Sequence, residues 1–370
     1  MHISLACWRV VERSLRLYAP GTKPAPAAQE TRKMPVHSIP FASQRRRLIR
    51  GLIATPALAL LPGLRSAFAA TPAYPSRPIR LIVPFPAAGS ADILSRVLAN
   101  ALQPVLGQSL IIDNRAGGGG ALGINLVAKA EPNGYTVGVT SLGPQVLLPA
   151  IGRKLPYDAA ADLVHIGFMG GMPLAIIGNN DLPVQSLPEL VKLAKSRPGR
   201  LSIGSSGIPG QLAIEQFKRI AGVDLLHVPY KGDAPLATDL MGSQVDLAMI
   251  TVTSIIPYVN TKSFRILATT GASRSPQMPN VPTVAEQGNP GFEAELWYAM
   301  TAPAGTPREA VDTLSAALAK VLAEPEVRRQ FGAQGMSIRT LDAAATTRFI
   351  AAERKKWGDV ITSSGIKFEE

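Results

Sequence analysis

Between Arg77 and Leu102 the chain commits itself to one local structure. Ile79, Leu81, Ile82 and Val83 form a short run rich in β-branched residues, the mark of a buried strand, and Pro84 and Pro86 end it. From Ala91 onward Ile93, Leu94, Val97, Leu98, Ala101 and Leu102 recur at helical spacing, with Arg96 and Asn100 on another face. Between strand and helix lie Pro86-Ala87-Ala88-Gly89-Ser90, small residues that let a ligand approach the backbone. The N–H groups there open a helix, where the first donors lack partners and the dipole is positive, so a carboxylate-sized anion fits. The competing reading is an ordinary βα turn, with Ser90 as N-cap and Asp92 in the first turn.

The same logic repeats downstream. Ser109 to Asp113 reads as a second strand and Gly134 to Thr140 as a third, whose end at Thr140–Gln145, with Ser141, would lie beside the first loop in a parallel sheet. A new βα series begins near Leu174. Leu201 to Ile203 reads as a strand entering Gly204-Ser205-Ser206-Gly207-Ile208-Pro209-Gly210, and Gln211 to Ala221 as a helix. Ligands in open α/β sheets sit beyond the carboxyl ends of strands, so two such loops can aim two helix N-termini at one anion. N-capping by Ser205 or Ser206 would be compatible with that. Further strands are expected at Leu225–Pro229, Val245–Ile250 and Phe264–Thr269. Met169–Met172 and Glu293–Ala302 read as two crossings between domains, and Arg308 onward is largely helical, with Thr306 as N-cap and Pro307 at the first helical position.

Gly118, Gly120 and Gly123 match G-x-G-x-x-G between a strand and a helix. The acidic residue that should hold a ribose roughly 20 residues on is absent, since the chain there reads Thr140 to Gln145. Close packing of strand on helix is the better account of these glycines.

The formal charge of +12 is uneven. Residues 1–69 hold eleven Lys/Arg against Glu12 and Glu30, while the remainder holds 27 basic and 24 acidic residues, close to balance. The basic excess therefore belongs to a leader, not to a nucleic-acid footprint. Gln44-Arg45-Arg46-Arg47-Leu48 is similar to a twin-arginine signal; Gly51 to Leu64 is a 14-residue apolar run; Ala67-Phe68-Ala69 offers a small-x-small cleavage site. The run falls short of the roughly 20 residues a membrane helix needs. Cleavage near Ala69 is expected, and Met34 offers a more natural start than Met1. Cys7 lies in the leader, so the mature chain has no thiol for disulfides, metal or nucleophilic chemistry. Its two histidines, His165 and His227, have no partners at zinc-ligand spacing. No cofactor is expected. The roughly 301 residues after Ala69 are enough for two domains.

Seven blocks carry a resemblance: Tyr74-Pro75-Ser76-Arg77-Pro78-Ile79, Val83-Pro84-Phe85-Pro86, Asn114-Arg115-Ala116-Gly117, Asn133-Gly134-Tyr135-Thr136, His227-Val228-Pro229-Tyr230-Lys231-Gly232, Pro279 to Glu286, and Ala302 to Pro307. In this order they resemble the Bug (TctC-like) family, the extracytoplasmic solute receptors of tripartite tricarboxylate transporters. The resemblance runs from Tyr74 to Lys367. It implies an α/β fold, a type II periplasmic binding protein of two βα lobes joined by two crossing segments, closing on a small carboxylate. Residues 70–170 with 300–370 would form one lobe and 171–299 the other. The family's A-G-G-x-x-D motif falls on Ala87, Ala88, Gly89, Ser90, Ala91 and Asp92, with Ala88 in place of a glycine. Its S-x-G-x-G motif falls on Ser205, Gly207 and Pro209-Gly210, where Pro209 removes a donor, and Gln211 replaces a common histidine. Membrane permease subunits would be the partners, the protein a monomer, and its compartment the periplasm.

The candidate ligand-binding set is thus Phe85, Pro86, Ala87, Ala88, Gly89, Ser90, Asp92, Ser141, Ser205, Ser206, Gly207, Gln211 and Thr251. Asp92 has two readings, receiving an amino or hydroxyl group of the ligand or capping its helix. A ligand-sensing subunit for a membrane signalling protein would share this pocket. An enzyme acting on a carboxylate is the more distant rival: Gly204-Ser205-Ser206-Gly207-Ile208 breaks the nucleophile elbow at its last position. Replacing Arg45 and Arg46 together by Lys should leave uncleaved precursor in the cytoplasm, visible on fractionation. Normal export of that variant would point to the general secretion route.

Overall fold

The computed structural model describes residues 73–366; the leader and its expected cleavage site lie outside them. β1 (Ile79–Val83) lies between two parallel neighbours, β2 (Leu110–Asn114) and β3 (Thr136–Ser141). Its four apolar residues are fully buried because helices cover both faces. On one side α1 (Ser90–Leu106) sends Leu94, Leu98 and Leu102 onto Ile79, Leu81 and Val83. On the other, α2 (Ala121–Ala128) packs Ile124 and Val127 on Ile82. A helical turn at Gly143–Leu147 and α3 (Leu148–Ala150) follow β3.

β4 (Leu163–Gly178) is the longest strand, at 16 residues, and leads into the second sheet. There α4 (Leu187–Ser196), β5 (Ser202–Ser206), α5 (Gly207–Ala221), β6 (Leu226–Tyr230), α6 (Asp233–Met241), β7 (Leu247–Thr251), the single turn α7 (Val252–Ile255) and β8 (Arg265–Thr269) repeat the βα pattern. β9 (Glu295–Pro303) returns antiparallel along β4, and α8 (Arg308–Leu322), α9 (Pro325–Ala333) and α10 (Ala343–Ser364) finish the described chain. The strand order is β2-β1-β3-β9-β4-β7-β5-β6, with β8 also paired to β4. The result is a two-lobed α/β fold.

α10 does not keep to the first sheet: Ile350, Trp357 and Val360 share a core cluster with Leu212 and Phe217 of α5. Trp357 and Trp297 both donate their ring N–H to the buried Glu353, at 3.0 and 3.1 Å.

Two helix starts differ from expectation. α8 begins at Arg308 with Pro307 as N-cap at φ −53° and ψ 138°, because proline fixes φ but leaves ψ free to stay extended. Thr306 instead donates its hydroxyl to the Pro303 carbonyl at 2.8 Å. In α1 the N-cap is Gly89, and Ser90 is the first helical residue.

Gly123 explains the glycine run. A Cβ there would lie 2.7 Å from Pro84 Cα and 2.9 Å from the Arg115 carbonyl oxygen, so this glycine lets α2 press on the end of β1. Gly123→Ala should lower stability by about 1–3 kcal/mol, the usual cost of overpacking, read as a shift of the denaturant midpoint at unchanged slope.

Candidate functional site

Strand register sets two carboxyl edges against each other. β3 ends at Ser141 opposite Tyr298 of β9, which in turn pairs with Gly170 of β4. β7 runs the other way and ends at Thr251 opposite Leu174 of β4. The two edges are therefore four residues apart on one strand, roughly 13 Å along its direction at about 3.3 Å per residue. At the first of these edges β4 shifts register between Phe168 and Gly170, and Gly170 has φ +150°.

On the first edge the exposed stretch Pro86-Ala87-Ala88-Gly89 leads into α1, which has no side-chain cap. Ala88 sits at φ +64°, the left-handed region that a glycine would enter freely and an alanine enters at a cost of about 1–2 kcal/mol. Asp92 lies beneath this stretch, 2 % exposed. Its Oδ2 accepts from the Ala88 N–H and from Arg96 Nε, each at 2.9 Å, and its Oδ1 accepts from Asn114 Nδ2 at 3.0 Å. Asn114 also donates to the Phe85 carbonyl at 3.2 Å, so acid and amide together tie both ends of the stretch to β2. The hydrogen bond from Arg96, aided by those from Ala88 and Asn114, holds the Asp92 carboxyl below its ordinary range against the opposing effect of burial. Asp92 thus faces the protein interior, and its three donors come from the chain itself.

The second edge differs from the expected loop. β5 continues through Ser206, and α5 starts at once at Gly207, whose φ of +67° makes the turn in a single residue. Ser205 is buried, its hydroxyl 2.9 Å from His227 Nε2, and is turned away from the cleft because strand side chains alternate. Ser206 is the N-cap of α5 without capping it; its hydroxyl donates to Asp233. Thr251, at the end of β7, donates to the same carboxylate from its backbone N–H at 3.2 Å and its hydroxyl at 2.6 Å. Gln211 is half-buried on α5. Pro209 falls inside the first turn of α5, where a missing N–H costs nothing.

A cavity of about 210 Å³ brings the two sides together. Phe85 and Ser141 line it from the first sheet and Pro209 from α5. Tyr298 and Trp297 of β9 form its wall, with Tyr298 edge-on to Phe85 at a centroid distance of 6.1 Å. Its size suits a small molecule, below the range of drug-sized pockets. A larger surface hollow of about 690 Å³, along Pro149 to Asp162, lies away from both carboxyl edges and is open to solvent. The smaller cavity is the candidate site: the end of β3 at Ser141 and the first turn of α5 at Pro209 meet there. Of the thirteen candidates, Phe85 and Ser141 line the cavity; the other eleven are not among its lining residues.

Sequence reasoning missed Asp233, Tyr298, Trp297 and Gly119, which also lines the cavity. Asp233 carried a readable signal, an acid opening a helix straight after the Leu226–Tyr230 strand. The aromatics of β9 carried none, since they look like any strand residues until β9 is placed beside β3.

Asp92→Asn should lower stability by about 1–3 kcal/mol at neutral pH, the cost of weakening charge-assisted hydrogen bonds to a buried group. The folded pKa lies below the unfolded value, so the carboxylate's contribution is complete above about pH 4 and is lost as pH falls through the folded pKa. The melting temperatures of the two proteins should therefore converge in acid.

The family described as tripartite tricarboxylate transporter family receptor matches residues 94–366. Protein BugT of Bordetella pertussis is 35% identical over 299 residues, covering 80% of this chain and 92% of its own. Among solved structures, R. palustris Rpa4515 with adipate superposes with a TM-score of 0.65 at 34% identity, over 79% of this chain and 99% of that one. MatC (Rpa3494) from Rhodopseudomonas palustris, with bound malate, gives 0.61 at 27% identity, over 78% of this chain and 100% of that one. With most of its length matched in sequence and in fold, the chain belongs to the tripartite tricarboxylate transporter receptor family.

Proposed function

We propose that this protein is a periplasmic receptor that closes on a small carboxylate and delivers it to the membrane permease subunits of a tripartite tricarboxylate-type transporter. One observation supports the reading: the 17-residue helix α1 begins without a side-chain cap at the carboxyl edge of the first sheet, and Phe85, in the stretch that leads to it, lines a small cavity together with Ser141 and with Pro209 of α5. A carboxylate there meets free first-turn N–H groups and the positive end of the dipole. Three or four charge-assisted hydrogen bonds at about 1.5–3 kcal/mol each, less the cost of closure, reach the micromolar range near about −8 kcal/mol. The dicarboxylates held by Rpa4515 and MatC support the ligand class.

Residues 70–170 with 300–370 form one lobe in this proposal and 171–299 the other, hinged where β4 and β9 cross. The leader is removed near Ala69 after export by its twin-arginine-like signal, and the mature protein acts as a monomer. Its role is capture rather than turnover.

A thermal-shift screen against short carboxylates tests this. A ligand at 100 times its dissociation constant should stabilise the protein by about 2.7 kcal/mol. Gly89 is at φ −77°, and a Cβ there meets only the Pro86 carbonyl oxygen at 3.4 Å, so Gly89→Val should fold normally. Its side chain should block the approach to α1 and abolish the shift. A well-folded Gly89→Val that still binds places the anion elsewhere.

A further inference from the structure

The two edges of the cleft differ in charge, and Asp233 is the reason. It is the first residue of α6, at the carboxyl ends of β5, β6 and β7. Its Oδ1 accepts from the Ser206 hydroxyl. Its Oδ2 accepts from the Thr251 N–H at 3.2 Å, the Thr251 hydroxyl at 2.6 Å and the Ser254 hydroxyl at 2.8 Å. Ser206 and Thr251 are the N-caps of α5 and α7. The anion that this convergence of helix starts would attract is thus already present as a side chain. Among the described residues no Lys or Arg forms a salt bridge with Asp233, and the carboxylate is half-buried.

The hydroxyls of this edge consequently point their protons at Asp233 and leave lone pairs for whatever enters the cleft. The opposite edge offers the reverse, the uncapped N–H groups of α1 with their positive dipole. The strand ends are offset by roughly 13 Å along β4 and by three strand spacings of about 4.8 Å across it, so a ligand held by both edges meets them with polar groups at its two opposite ends. If both of those groups were carboxylates, one would face Asp233.

Resting on the carboxylate-receptor reading above, we propose that Asp233 makes this chain selective for monocarboxylates whose far end carries a hydrogen-bond donor, above all an ammonium group, and biases it against dicarboxylates. Like charges about 6 Å apart at an effective dielectric near 20 repel enough to weaken binding about 100-fold, and an ammonium reverses the sign.

The test is calorimetric titration of the purified protein with length-matched pairs: succinate and 4-aminobutanoate, glutarate and 5-aminopentanoate, adipate and 6-aminohexanoate. The best-fitting amino acid should bind at least tenfold more tightly than the dicarboxylate of its length. Asp233→Asn, which keeps the shape and removes the charge, should reduce that ratio at least tenfold. Asp233→Ser, checked by its melting curve, serves the same purpose if the amide variant is unstable. Tighter binding of a dicarboxylate by the unsubstituted protein, or a ratio unmoved in both variants, overturns the role of Asp233 while leaving the carboxylate reading in place. Absence of binding by every member of the pairs overturns both.

Discussion

The pairing of β4 with β9 is the interaction on which the rest of the molecule depends. These two strands run antiparallel from Leu163 opposite Pro303 to Pro173 opposite Glu295. β9 then pairs with β3 on one side of the molecule, while the far half of β4 pairs with β7 and β8 on the other. Each sheet borrows a strand that also serves the neighbouring one. Because β3 and β7 attach to this shared spine in opposite directions, their carboxyl ends meet across a gap, and the helices that follow them begin there. A cleft between helix N-termini follows from topology before any particular side chain is considered.

Within that frame two carboxylates do different work. Asp92 is spent inward: three donors from Ala88, Arg96 and Asn114 turn it into a clamp that holds an exposed, left-handed stretch in place. The exposed backbone above it is thereby ordered without a capping side chain in the way. Asp233 is also hydrogen-bonded by its own chain, but it sits at the cleft with no cation paired to it among the described residues. One acid positions a donor surface, and the other makes an acceptor surface. The asymmetry between the edges lies in these two residues and in the backbone that leads to them, an exposed loop before α1 and a one-residue turn before α5.

Much of this was legible in the sequence because buried parallel strands are continuous apolar runs and their helices keep a 3.6-residue period. The strand at Ile79–Val83, the helix after Ser90 and the crossings near Met169–Met172 and Glu293–Ala302 all have counterparts in the structure. Details at element ends were not legible. Ser90, Thr306 and Ser206 look alike as cap residues, yet none caps its helix: Thr306 donates to Pro303, and Ser206 to Asp233, 27 residues away. Asp92 could be read toward ligand or toward helix until Asn114, 22 residues on, was placed beside it. The aromatic wall of Tyr298 and Trp297 depends on the return of β9, a long-range pairing with no local signature.

The shared spine also makes the width of the cleft a quantised property. The distance between the facing edges is set by four residues of β4, from Gly170 to Leu174, so it changes only in whole residues. A slip of one residue would turn the core side chains of that strand to the wrong face except where a bulge absorbs it, as between Phe168 and Gly170, so the usual step is two residues, or about 6–7 Å. A lineage built on this spine therefore cannot tune itself to slightly longer or shorter molecules by adjusting the sheet. The fine scale has to be written at the ends of the strands, in single side chains such as Ala88, Pro209 and Asp233, where substitution leaves the ladder of hydrogen bonds untouched.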